Sequence, residues 1–169
     1  GAGKVMGFDL IHNFRRPYMA QSVGDFWRRW HISLSTWFRD YLYFPLGGSR
    51  CARWRTNLNL MITFLVSGLW HGAAWTFVFW GGLNGLFQVL ERPFVRKGAE
   101  ERRGFLGKAL RIALTFTLMT VAWVFFKVST FADGFLAVQK MLCPSGTLYI
   151  PQLSTLLYCL MGMALVIAV

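Results

Sequence analysis

Two imidazoles stand out in this chain as groups able to move a proton at neutral pH. His71 lies in the 35-residue run 56–90, TNLNLMITFLVSGLWHGAAWTFVFWGGLNGLFQVL, which holds no Asp, Glu, Lys or Arg. His31 lies on the edge of a tryptophan-rich segment 40 residues earlier. A neutral imidazole can take a proton from a hydroxyl, and an ionisable residue at membrane depth is costly to keep, which makes His71 a functional candidate. Ser67, four residues before His71, could share its helix face as a nucleophile, but no acidic residue accompanies it to orient the base. Direct acyl transfer to a hydroxyl with His71 as general base needs no protein nucleophile. His71 as a core histidine donating to a carbonyl stays open. The spacing of His31 and His71 is not that of a metal site, and no third ligand or carboxylate is near, so no metal is expected. His12 reads as an ordinary histidine of a polar loop.

The elements that must hold these residues belong to a membrane. Residues 56–90 exceed the roughly 20 residues of one crossing and fall short of about 40 for two, so the stretch should form a broken, membrane-entering hairpin carrying His71. Gly68 and Gly72 mark where the helix could unwind or be approached closely by another backbone. Before it, residues 21–48 read as one interfacial amphipathic helix. Ser22 and Asp25 have capping-box spacing, and Trp27, Trp30, Leu34, Trp37, Phe38 and Tyr41 share an arc of roughly 100°. Pro45, Gly47 and Gly48 end it. A transmembrane helix is expected over 110–127 and a truncated one over 151–169. The fold class is therefore all-α: a polytopic membrane protein with a broken central helix pair, residues 1–169 forming a single membrane domain.

Composition agrees. The 169 residues are 55% hydrophobic and 15% charged, with a mean hydropathy of +0.42, outside the range of an ordinary soluble domain. The net charge of +11 is concentrated in two segments: eight of the 18 basic residues lie in 15–55 and seven in 92–111. Short basic loops stay in the cytoplasm, so both should face that side and attract lipid headgroups rather than nucleic acid. Cys51, Cys143 and Cys159 have no CxxC spacing and predict neither a disulfide framework nor a zinc site. The final apolar run stops at Val169 without a polar flank, and Gly1 opens without an initiator Met or signal-peptide pattern. A piece of a longer protein is expected.

FRRPYMAQSVGDFWRRWHISLSTWFRDYLYFPLGGSR and the following TNLNLMITFLVSGLWHGAAWTFVFWGGLNGLFQVLER resemble the membrane-bound O-acyltransferase family, in particular its bacterial alginate O-acetyltransferase branch. The likeness is close over about residues 8–92 and looser beyond. It implies a multi-pass protein of the bacterial inner membrane enclosing a tunnel, with an acyl donor entering from the cytoplasm and a polysaccharide acceptor reached from outside. The histidine of the WHG string, His71, is implied to be the catalytic base, and that of the WRRWHIS string, His31, the second active-site residue. No bound cofactor is implied; acetyl-CoA or a similar acyl donor would be a co-substrate. Membrane lipid, the polysaccharide acceptor and periplasmic proteins that complete the transfer are the implied partners. D-alanyl or other acyl transfer to a cell-wall polymer is the nearest alternative. A transporter using His71 as a proton relay and a non-catalytic membrane scaffold are readings of other classes.

Overall fold

The computed structural model describes residues 5–8, 11–95 and 104–143, and among them every regular element is helical. The expected span 151–169 and Cys159 lie outside the described residues. The order is a 3₁₀ turn Pro17–Met19, α1 Val23–Arg29, α2 Ile32–Phe38, a π-helical turn Arg39–Tyr43, α3 Arg53–His71, α4 Trp75–Glu91, a 3₁₀ turn Arg92–Phe94, α5 Phe105–Lys127 and α6 Phe131–Leu142.

Helix α1 starts where its sequence requires. The Ser22 hydroxyl accepts from the Asp25 amide at 3.0 Å, satisfying one of the free donors of the first turn. Asp25 in turn lies 2.9 Å from the Arg29 guanidinium. Glu91 at the end of α4 accepts from the Val23 amide at 2.7 Å, which fixes the start of α1 against the end of α4.

The stretch 21–48 is not the single amphipathic helix expected. Trp30 is extended and His31 is left-handed, with φ 43° and ψ 57°, so two seven-residue helices meet at an angle there. Neither glycine nor proline announces this break. The apolar stripe is consequently split. Trp27 and Trp30 pack inward on a core of Ala20, Val23, Phe26 and Met119, and Phe38 is buried, whereas Trp37 and Tyr41 stay exposed. Apolarity alone could not show that α4 and α5 cover half of the stripe. Past the π turn, Gly47 and Gly48 take positive φ values of 106° and 55°, a conformation glycine adopts without a steric penalty, and lead into α3.

The central stretch breaks at 72–74, so His71 is the last residue of α3. Helices α3 and α4 then run back antiparallel in close contact. A Cβ on Gly68 would overlap the Phe77 carbonyl, and one on Gly81 would overlap the Phe64 carbonyl. Small residues at such crossings are what lets two helix backbones touch. Of the two possibilities raised for the glycines, Gly68 serves the close approach and Gly72 the break.

Helix α5 has 23 residues, about 35 Å at 1.5 Å per residue. Among the described residues it is the one helix long and apolar enough to cross a bilayer. Its inward face, Thr115, Met119, Ala122 and Phe125, is buried at spacings of three and four, while Leu110, Leu114 and Phe116 are exposed. A second core cluster of Trp80, Ala122 and Phe125 is joined to the first by Trp27, Phe87 and Trp123, which pack on both. Helix α6 is capped by Thr130, whose hydroxyl oxygen accepts from the Asp133 amide at 3.2 Å.

Candidate active site

His71 is placed by two local features. It ends α3, because Gly72 adopts an extended conformation with its amide turned back to Leu69 O at 3.2 Å. Its ring is then held among aromatic edges from three helices. Trp80 of α4 and Phe126 of α5 meet it at 88° and 85° with centroids 5.2 and 5.1 Å away, and Trp70 of α3 at 75° and 5.1 Å. Near-perpendicular contacts of this kind are the favoured geometry for aromatic pairs. Trp80 is itself only 1% exposed and so cannot turn away easily. His71 remains half-buried, with part of its ring open.

What it opens on is a cavity of about 750 Å³ lined by residues of α1 to α5, among them His31, Ser35, Thr63, Ser67 and His71. The two histidines singled out in the sequence are thus brought to one chamber from separate elements. His31, between α1 and α2, has a left-handed backbone, and its Nδ1 is shielded with no hydrogen-bond partner. His12 is exposed and lies outside the chamber, as does Cys51. Ser67 lines it, but no hydrogen bond joins Ser67 to His71 among the described residues. Arg28 and Arg39 line the chamber, and each is ion-paired with an aspartate outside the lining, Arg28 with Asp25 at 3.4 Å and Arg39 with Asp40 at 2.8 Å. Burial pushes the Tyr43 phenol, another lining group, above its usual pKa, offset in part by Arg92 and reinforced by Cys51. Tyr43 is therefore a neutral hydrogen-bonding group at neutral pH. Among the described residues no cluster of three His, Cys, Asp or Glu groups could hold a metal.

The membrane-bound O-acyltransferase family model matches residues 5–132. The chain belongs to the membrane-bound O-acyltransferase family. It is 46% identical over 127 residues to a probable alginate O-acetylase AlgI of Azotobacter vinelandii, covering 75% of this chain and 25% of that protein. It is 38% identical over 147 residues to a peptidoglycan O-acetyltransferase of Helicobacter pylori, covering 86% and 28%. It is 33% identical over 93 residues to a teichoic acid D-alanyltransferase of Bacillus subtilis, covering 48% and 22%. The chain thus spans about a quarter of the length of these relatives.

For this family member, several residues around the histidines, Ser67 apart, were not singled out from sequence. On α3, Asn59, Thr63, Ser67 and His71 recur every four residues, and the first three are buried. On α4, Thr76, Trp80, Asn84 and Gln88 do the same, and Trp80 and Gln88 reach the chamber. A polar residue at every fourth position of an apolar helix is the signal that would have found them.

Proposed function

We propose that this chain forms part of an O-acyltransferase of the bacterial inner membrane, multi-pass in its complete form, which moves an acetyl group from a cytoplasmic donor such as acetyl-CoA to hydroxyls of an alginate-like cell-surface polysaccharide. The observation that carries the reading is the meeting of His31 and His71, from separate elements, in one chamber. The stronger identity to alginate and peptidoglycan O-acetylating relatives than to the D-alanyl-transferring one favours acetyl as the group moved. Periplasmic partner proteins complete delivery to the polymer in this reading.

In the reaction, His71 accepts the proton of the acceptor hydroxyl as the oxygen forms its bond to the acyl carbon. The carbon–sulfur bond of a thioester donor breaks, and the imidazolium returns the proton to the departing thiolate. The aromatic edges around His71 fix the ring during both transfers, and pre-set orientation of this kind is a large part of what a site can contribute. His31 acts within the same chamber on donor or acceptor.

The test replaces His71 by Ala and by Gln in the full-length protein, expressed in a strain lacking it, with ester-linked acetate on surface polysaccharide read by mass spectrometry. General-base catalysis is worth about 10²- to 10⁴-fold, so acetate should fall by at least about 10²-fold while membrane protein level persists. Unchanged acetylation rejects the reading.

A further inference from the structure

His31 adopts a backbone that any residue with a Cβ disfavours. Left-handed φ values are uncommon outside glycine, although histidine is among the residues that visit them more often, and they persist where the surroundings over-determine them. What does so here is not His31 itself, whose side chain makes no capping hydrogen bond to α2. A helix start leaves amides without partners, and at α2 these are met from outside. The Ile32 amide donates to Asn13 O at 3.0 Å, and the Ser33 amide to Asn13 Oδ1 at 2.9 Å. Two further groups of the break are satisfied around this pair. The Arg15 amide donates to Arg29 O at 2.9 Å, and the Ser35 hydroxyl to Trp30 O at 3.1 Å. Phe14 sets its ring edge-on against Trp30 at 4.9 Å and tilted to His31 at 6.2 Å.

We propose that Asn13 is a positioning residue for His31: by capping α2 from a separate segment, it holds residue 31 left-handed and so delivers its imidazole to the chamber that His71 lines. Asn13 does not itself line the chamber. Its amide is oriented unambiguously, since the Ser33 N–H it meets can only donate. Without the side-chain acceptor the Ser33 amide loses its partner, and residue 31 gains by relaxing to the right-handed region, which would let α1 continue toward α2 and rotate the ring away. The inference rests on the acyl-transfer reading of the chamber and adds to it a residue remote from the reacting groups.

The experiment uses the full-length protein in a strain lacking its own copy. Surface acetate is normalised to the monodisperse protein recovered from the membrane in detergent, so that a loss of folded protein does not count as a loss of function. Asn13→Ala should lose about ten- to a hundredfold, the range for a displaced catalytic group. Asn13→Asp, which keeps an acceptor for the Ser33 amide, should stay within about threefold of the parent, as an equivalent cap does. Where Asn13→Ala does not accumulate, Asn13→Gln carries the amide one methylene too far and should show the same loss. Full normalised activity in Asn13→Ala, or an equal fall in Asn13→Ala and Asn13→Asp, overturns the proposal. His31→Ala separates the two levels. If it loses acetate while Asn13→Ala does not, the positioning role alone is wrong. If it keeps acetate, the role of His31 in the chamber is wrong and the proposal falls with it.

Discussion

The Trp27 indole N–H donates to Asn84 Oδ1 across 3.1 Å, linking α1 to α4 within the core. Asn84 is wholly buried, and its amide nitrogen donates to Trp80 O at 2.8 Å. Trp27 also meets Trp80 edge-on at 5.8 Å, and Trp80 meets His71. One buried amide therefore holds the Trp27 indole and the backbone carbonyl of Trp80, both residues of the chamber wall. Asn84→Leu removes it without creating a large void and strands the Trp27 donor, an unpaired buried group worth about 1–3 kcal/mol. The melting temperature of the detergent-solubilised full-length protein should fall. In Trp27→Phe, which lacks the donor, adding Asn84→Leu should cost less than the separate effects together, because the two residues share one interaction. Strict additivity would show that the hydrogen bond contributes nothing.

The crossing of α3 and α4 makes a sharper prediction. Alanine at Gly68 or Gly81 places a methyl group on a backbone carbonyl of the opposite helix, which can yield only if the helices part. Overpacking of this kind costs about 1–3 kcal/mol or more. Gly82, one residue on, has nothing nearer to an added Cβ than the Leu65 Cδ2 at 3.5 Å, an ordinary contact. Gly82→Ala should accumulate in the membrane like the parent, and Gly68→Ala and Gly81→Ala should not. Equal accumulation of all three would mean that the helix pair is looser than described.

Much of this arrangement is legible in the residues themselves, and the failures have physical reasons. Ser22 and Asp25 mark a helix start because a hydroxyl three residues before a free amide is a purely local device. The same spacing at Thr130 and Asp133 was there to be read and marks the start of α6. Gly68 and Gly72 were placed correctly because glycine's roles follow from its missing Cβ. The break at His31 is different in kind. No local propensity dictates it, and it depends on hydrogen bonds to Asn13, eighteen residues away. The inward turn of Trp27 and Trp30 was likewise invisible, since an amphipathic pattern says which face is apolar and not what will cover it. His71 is legible as the lone titratable group of an apolar run, and His31, close to Arg28 and Arg29, through its place at the edge of a tryptophan-rich face and the presence of a second histidine. Ser67 is legible from its place one turn before His71, whereas Thr63, uncharged, is no interruption of the run and gives no such sign.

Ser67 decides between two chemistries. It lines the chamber one helical turn before His71, where a nucleophile would need to be, but it is not hydrogen-bonded to that ring, and no carboxylate lines the chamber to orient the base. A serine that attacks the donor itself would have to surrender its proton to His71 and carry the acyl group as an ester. Removing such a residue leaves only the residual catalysis of a site without its nucleophile, a loss of about 10³-fold or more. Direct transfer asks nothing of Ser67 beyond filling its place. Ser67→Ala should therefore retain surface acetylation within about fivefold, the scale of a lost neutral hydrogen bond of about 1 kcal/mol. The parent full-length protein incubated with acetyl-CoA should show no added acetyl mass on the peptide containing Ser67. Loss of activity in Ser67→Ala together with an acetylated Ser67 peptide would instead establish a two-step route, with His71 serving first the serine and then the acceptor.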